Sequence, residues 1–483
     1  MSRPLPARSR HPLPLRGEGY GWLLAALLAC GGCSFTTATG FNECSNDEQC
    51  GADKVCIQHF CIRLPPSCER GAGNYSDPDR VAFAALLPLT TQPDGGSIDE
   101  SERANLNALS LAIDEGNQRD GIKGRHFALF VCNTGDDDAT LKAQAGFLAN
   151  TLESPAVVVS GSAATISAAN ILTPKGALVI SADATSPELG GAYTSDQHLV
   201  WRTAPPDSLQ AQVVVDQLSL WRATQPSLQK IGIAYVDSTY GQGLSHQIET
   251  RASAAGFTPK VVPYEEGGDP SAALTTLSSF TPNLTVLVAF PPDVLSIVGG
   301  AQSHPNLTRL GGNQWFFTDA AKDPAILSVP AVLAEIDQSY GTSPAQGAGM
   351  EFAAFRDRFE AKYTMDPESY GFTSHSYDAM YLLMLGAAYA ASGNQPVTGV
   401  RIAEGFTKMS DHSGTQVTLT PDNFTTGVSE LQAGHSIDVM GSSSDLDLDY
   451  DAGCPLPSSS PYELWQVRDA GFTTTQVIKP TGS

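Results

Sequence analysis

Two short turns rich in hydroxyls follow apolar stretches within the run Val157–Leu189. Ser162 sits in Ser-Gly-Ser-Ala-Ala-Thr after Val157, Val158 and Val159. Thr185 sits in Ser-Ala-Asp-Ala-Thr-Ser-Pro after Leu178, Val179 and Ile180. Short unbroken apolar runs of this kind read as parallel strands buried on both faces. The turns then lie beyond the carboxyl ends of neighbouring strands, where open α/β sheets hold ligands. Hydroxyls beside the N–H groups that open a helix suit a small anion such as a carboxylate. Ser and Thr also serve as plain helix N-caps, but two such turns in consecutive units weigh toward a site.

Other chemistry finds no support. The chain lacks a G-x-S-x-G elbow, so Ser162 has no sequence-level sign of a His/Asp relay. The nine histidines are scattered without a metal-ligand pair. Asp445, Asp447, Asp449 and Asp451 imitate a calcium loop but miss its glycine and its closing glutamate. Alternating with Leu446, Leu448 and Tyr450, they read as a strand with one polar face. Asp136–Asp138 reads as a solvated helix start favoured by the helix dipole. A net charge of −23 argues against nucleic acid and against docking on anionic lipid. No enzyme, metal or cofactor is expected.

The elements that must position these turns alternate strand and helix from Val81 onward, which implies parallel sheets. A first series places strands at Val81–Leu87, Phe127–Cys132, Ala156–Val159 and Ala177–Ile180, with a helix at Arg103–Glu115 ended by Gly116. A second series follows Pro205-Pro206, with strands at Ile231–Val236, Pro259–Pro263, Thr285–Ala289 and Trp315–Thr318. Helices at Leu209–Trp221, Gly241–Ala255 and Asp293–Gln302 link them, and two more follow at Met350–Tyr363 and Ser376–Ala391. So long a stretch is too much for one core and suits two lobes.

The start of the chain reads as a targeting segment: arginines at 3, 8, 10 and 16, then the apolar core Trp22–Ala29. That core falls short of the about 20 residues a membrane span needs. Leu27-Leu28-Ala29-Cys30 resembles a bacterial lipobox, which makes residues 1–29 a signal and Cys30 a lipidated anchor. Cys33 is the alternative anchor. Taking Cys30 away leaves eight of the nine cysteines, an even number. Cys44, Cys50, Cys56 and Cys61 crowd into a short segment without the paired spacing of zinc clusters, so disulfides are expected in an exported chain. Connectivity stays open, with 44–56 and 50–61 preferred; Cys68, Cys132 and Cys454 are candidates to pair with one another or with Cys33. Residues 30–77 are thus expected as a tether and cysteine-rich segment independent of the main core.

An ordered set of strings across roughly residues 80–470 resembles the extracellular solute-binding proteins of the branched-chain amino-acid type. They are Val81–Thr90 (VAFAALLPLT), the two turns above, Leu199–Gln210 (LVWRTAPPDSLQ), Asp237–Gly243 (DSTYGQG), Tyr377-Asp378-Ala379 and Gly441–Asp449 (GSSSDLDLD). The resemblance implies the type I periplasmic binding fold: two Rossmann-like α/β lobes joined by three hinge crossings, near Thr203, Pro344 and Leu446. Lobe 1 would take residues 78–203 and 346–447, and lobe 2 residues 204–345 and 448–480. Such lobes close around a ligand. The resemblance also implies an amino-acid-like ligand, delivered to an ABC permease by an exported, lipid-anchored receptor. It puts Ser162 and Thr185 on the ligand's α-carboxylate and α-ammonium. Tyr240 would close over the ligand, Asp319 would meet the ammonium, and Phe290 would wall the pocket. Asp183 departs from the small residue usual at its place; its carboxylate would attract an ammonium or block an apolar side chain. The rival reading keeps the fold and makes the chain a sensor or an activator of cell-wall enzymes through a protein partner.

Overall fold

The computed structural model describes residues 43–135, 137–192, 198–347, 349–449, 456–457 and 460–480. The leader with Cys30 and Cys33, and Cys454, lie outside the described residues.

The cysteine-rich segment forms a hairpin of β1 (Lys54–Ile57) and β2 (Phe60–Arg63). Disulfides Cys44–Cys56 and Cys50–Cys61 close it, the preferred pairing. Then come β3 (Cys68–Gly73), β4 (Val81–Leu87), a hairpin of β5 (Thr90–Gln92) and β6 (Gly95–Ile98), α1 (Glu100–Gln118), β7 (Phe127–Asn133) and α2 (Asp138–Asn150). β8 (Ala156–Val159), α3 (Ser162–Leu172), β9 (Leu178–Ser181), the short α4 (Glu188–Ala192) and β10 (Val200–Arg202) complete the series. The sheet of lobe 1 runs β10-β9-β8-β4-β7-β3, parallel except for β3. Helices cover both faces, which is why β8 and β9 are buried at every position.

The cysteine-rich segment is built into this lobe, contrary to the expected independence. β3 pairs antiparallel with β7, and Cys68 is bonded to Cys132 across that pair. Val55 and Leu64 share a buried cluster with Phe130, Leu141 and Val157. The Tyr75 hydroxyl donates to the Leu129 carbonyl at 2.6 Å. Buried Asp47 accepts the Cys56 N–H at 2.7 Å and pairs with Arg80 at 2.7 Å. A segment this short cannot bury enough apolar surface by itself, so it uses the core of the lobe beside it.

Lobe 2 begins with α5 (Asp207–Thr224), β11 (Lys230–Val236), α6 (Thr239–Ala254), β12 (Thr258–Tyr264), α7 (Ser271–Phe280) and β13 (Leu284–Val288). It continues through α8 (Pro291–Ala301), β14 (Gln314–Phe317), α9 (Pro330–Ile336) and β15 (Tyr340–Pro344). The chain then returns to lobe 1 as α10 (Met350–Tyr363), α11 (Thr373–Ala390), α12 (Gly399–Phe406), β16 (Thr415–Thr418), α13 (Pro421–Gln432) and β17 (Ile437–Met440). Two-residue strands β18 (Leu448–Asp449) and β19 (Leu456–Pro457) pair before β20 (Tyr462–Arg468) and β21 (Gly471–Ile478) finish the second sheet. Its order is β12-β11-β13-β14-β15-β20-β21, with the last two antiparallel. The polar-faced strand expected over Asp445–Asp451 shrinks to β18, with Asp445 held in a lone bridge to Met440. The helix expected to end at Gly116 runs two residues further, to Gln118.

Helix α11 is apolar nearly all round and buried along almost its full length, as a helix inside a core must be. Its tyrosine hydroxyls at 377 and 381 and its aspartate are matched. The Tyr377 and Tyr381 hydroxyls donate to Glu115 at 2.6 and 2.7 Å. Asp378 accepts the Ser442 and Ser443 N–H groups at 2.7 and 2.8 Å. The strings Tyr377-Asp378-Ala379 and Gly441–Ser444 therefore lock to each other near the third crossing between lobes. Among the described residues no helix is long and apolar enough to cross a membrane.

Candidate functional site

From lobe 2, three groups converge at the carboxyl ends of β11, β13 and β14. Asp319 follows β14 and opens a one-turn helix, while Tyr240 lies in the first turn of α6. The Tyr240 hydroxyl donates to Asp319 Oδ1 at 2.6 Å and lies 2.9 Å from the Thr318 hydroxyl. Both side chains are buried. Burial raises the Asp319 carboxyl, with the Tyr240 hydroxyl and Gln210 opposing. Burial and the charges of Asp319 and Asp207 push the Tyr240 phenol well up. Phe290, half-buried at the start of α8, sets its ring 5.8 Å from that of Tyr240.

From lobe 1, Gly161 caps α3 with φ of 84°, a conformation that suits a residue without a Cβ. Its N–H donates to Asp183 Oδ1 at 2.8 Å, and the Ser181 hydroxyl donates to the same oxygen at 2.9 Å. The Ser160 oxygen touches both Asp183 and Glu102, the latter at 2.6 Å. A hydroxyl has one proton to give, so the second contact requires a protonated carboxyl. Glu102 is that group: burial, then the charges of Asp183 and Asp99, hold it well above its ordinary range. Asp183 is also raised by burial, but the Ser160 hydroxyl, Gly161 N–H and Ser181 hydroxyl all favour its charged form. Next to it, Ser162 Oγ accepts the Ser186 N–H at 3.2 Å.

The lobes meet along Thr185–Pro187. The Thr185 carbonyl accepts the N–H of Asp207, first residue of α5, at 2.9 Å. The Ser186 hydroxyl donates to the Thr239 carbonyl at 3.3 Å. A Cβ at Gly243 would lie 3.0 Å from Pro187 and 3.1 Å from Ser186, so the glycine admits the close approach. Asp207 is fully buried here, and burial and the charge of Asp319 drive its carboxyl well above its ordinary range. Its polar neighbours are the buried Thr185 hydroxyl and the Arg202 guanidinium, which both favour its charged form, although neither meets it in full hydrogen-bond geometry. Arg202, also buried, donates instead to the carbonyls of Ala184 at 3.3 Å and Ser186 at 3.0 Å.

Residues 85–428 match the family model described as periplasmic binding protein. The chain belongs to that family. No curated protein sequence matches it. Among solved structures, it is similar to a leucine-binding protein, LivK, from Thermotoga maritima (16% identity, 83% of this chain and 99% of that one, TM-score 0.65). It is also similar to LivJ of Streptococcus pneumoniae in complex with isoleucine (18%, 83% and 100%, 0.62). A third is a solute-binding protein from R. palustris in complex with benzoate (13%, 84% and 98%, 0.62). At these identities the likeness shows the fold, two α/β lobes of the type I periplasmic binding kind.

Within that fold, the six candidate residues divide. Tyr240, Phe290 and Asp319 form one group on lobe 2, whereas Asp183, Ser162 and Thr185 stand along neighbouring loops of lobe 1. Neither hydroxyl is a helix N-cap: Ser162 is the first residue of α3, and Thr185 lies three residues before the first residue of α4. Asp319 does not cap the turn at Asp323, which caps itself by accepting the Ala325 N–H at 2.6 Å. Sequence reading missed Glu102, Ser160, Arg202 and Asp207. Asp99 and Glu102 have capping-box spacing, and the Asp99 side chain does accept the Glu102 N–H at 3.0 Å. That local role hid the carboxyl's contact with Ser160. On the far end of lobe 1, His412 stands between Asp438 and Asp447, 3.4 Å from each. The separations in sequence concealed this cluster, and exposed acidic groups of this kind are common.

Proposed function

We propose that this protein captures a small amino-acid-like solute between its lobes and hands it to an ABC-type permease outside the cytoplasm. Membership of the periplasmic binding protein family supports solute binding, and the similarity to amino-acid-binding proteins such as LivK and LivJ favours transport over a sensor or activator. The observation that carries the reading is the buried Tyr240–Asp319 pair of lobe 2, set in the same seam as the buried Thr185 hydroxyl of lobe 1 and the Asp207 carboxyl beside it. In this reading lobe 1 takes the ligand first, and Tyr240 and Asp319 reach it on closure, so binding shifts the population to the closed form. Asp319 meets the ligand's ammonium, and Phe290 walls the side-chain pocket. Cys30 carries the lipid anchor, in keeping with the lipobox-like Leu27-Leu28-Ala29-Cys30.

Two experiments test it. By calorimetry, Asp319→Ala should weaken solute binding by about 10- to 100-fold, the loss of a charge-assisted bond of about 1.5–3 kcal/mol. Unchanged affinity would remove Asp319 from the site. In fractionated cells, Cys30→Ser should move the protein from membrane to soluble envelope, while Cys33→Ser should not.

A further inference from the structure

We propose that the cleft takes an amine: a ligand that brings an ammonium or similar N–H-bearing cation and no carboxylate toward lobe 1. The inference rests on the solute-binding reading above and narrows its ligand class.

The first argument is that the seat for a carboxylate is already filled. The Gly161 N–H and the Ser181 and Ser160 hydroxyls, the donors at the start of α3 best placed for an anion, are turned onto Asp183. A ligand carboxylate arriving there would meet a fixed negative charge with its donors taken. Among the described residues no arginine or lysine is hydrogen-bonded to Asp183. Arg202 gives one terminal nitrogen to the Ala184 and Ser186 carbonyls, and its charge acts on Asp207. Arg103 is paired with Glu100, and Lys322 with Glu463.

The second argument is what the seam offers in its place. Fully buried Asp207 stands beside the Thr185 hydroxyl and the Arg202 guanidinium with neither oxygen in full hydrogen-bond geometry, and a second carboxyl, Asp319, lies in the same seam with the Tyr240 hydroxyl, so two acids face one guanidinium. Asp207 and Asp319 are near enough for their charges to oppose each other. Buried acceptors of like charge are costly alone and favourable around a cation. An ammonium carries three donors and no acceptor, which fits this set. Around the rim, Asp323 of lobe 2 feels the charges of Asp99 and Glu100 of lobe 1, so both sides of the cleft attract a cation. Asp183 thereby sets specificity: it excludes the carboxylate of an α-amino acid and leaves its amine welcome.

Calorimetry on matched pairs tests this: leucine against isopentylamine, and arginine against agmatine. The unmutated protein should bind one of the amines at least tenfold more tightly than its parent amino acid. Asp183→Asn, which keeps an acceptor for the Gly161 N–H and removes the charge, should shift that ratio at least tenfold toward the amino acid. If this variant does not fold, the unmutated comparison decides alone. An amino acid that binds as tightly as its amine, or more tightly, overturns the inference and leaves the solute-binding reading intact. No binding by any of the four overturns it as well. Native mass spectrometry of gently purified protein then judges the broader reading: a retained solute that is not an amine preserves it.

Discussion

The N-terminal hairpin and the seam between the lobes each bury an aspartate near an arginine, and they treat it in opposite ways. Asp47 is held by the Arg80 guanidinium at 2.7 Å and by the Cys56 N–H at 2.7 Å. Asp207 lies beside the Thr185 hydroxyl and near Arg202, but that arginine hydrogen-bonds two carbonyls, and neither group meets the carboxyl in full hydrogen-bond geometry. Burial lifts both carboxyls, Asp207 well above its ordinary value. A buried charge with its partner built in fastens one piece of chain to another. A buried acidic group left without one is what a binding site looks like before its ligand completes it.

The comparison breaks most directly at these two residues. Asp47→Ala should cost about 3–5 kcal/mol, because Arg80 would stay buried without its partner. Asp207→Asn at neutral pH should leave the free protein as stable as before or more so, since burial and the charge of Asp319 outweigh what Arg202 and Thr185 give that acid. Urea denaturation of both variants measures the difference. Equal losses would mean that the seam is fastened as the hairpin is.

A smaller effect should appear with pH. Burial and the charges of Asp99 and Glu100 raise Asp323 to about 6 against the Ala325 N–H. A carboxyl raised on folding contributes stability that is full below its unfolded value near 3.8 and is lost as pH rises through about 6. Stability should therefore fall across that window, and Asp323→Asn, which keeps an acceptor for the Ala325 N–H, should flatten the fall. A variant with an unchanged pH profile would put the acid-favouring charge elsewhere in the cleft.

The smallest effect belongs to Thr185. Losing a hydroxyl that meets only the Asp207 carboxyl, and outside full hydrogen-bond geometry, should hardly weaken the fold, so Thr185→Ala should leave the denaturation midpoint nearly where it is. Ligand affinity should fall by about 1 kcal/mol, roughly fivefold. A lowered midpoint with unchanged affinity would make Thr185 a structural residue of the seam.

Much of the frame was legible without coordinates. The apolar runs of β8 and β9 and the helix Met350–Tyr363 declare themselves because burial on both faces, or on one stripe, leaves a period in the chain. The Tyr-Gly-Gln-Gly string located Tyr240, and the structure supplies a reason for the last glycine in the approach of Pro187. What the residues could not say is what each carboxylate faces. Glu102 has the spacing of a capping residue, and only the neighbouring loop reveals that it meets Ser160, 58 positions away. Asp183 looked like an open charge until the fold turned three donors onto it.

Sequence by itself determined the main strands and helices of the two alternating series, the export signal as an expectation, the crowding of cysteines and the family, because these are written in local spacing and in ordered strings. Tertiary structure decided that the cysteine segment shares the core of lobe 1, that Cys68 meets Cys132, and that Tyr240 meets Asp319 across 79 positions. It also decided which buried acids are satisfied. Hydrogen bonds and charges act over a few ångströms in space, whereas the sequence records only distance along the chain.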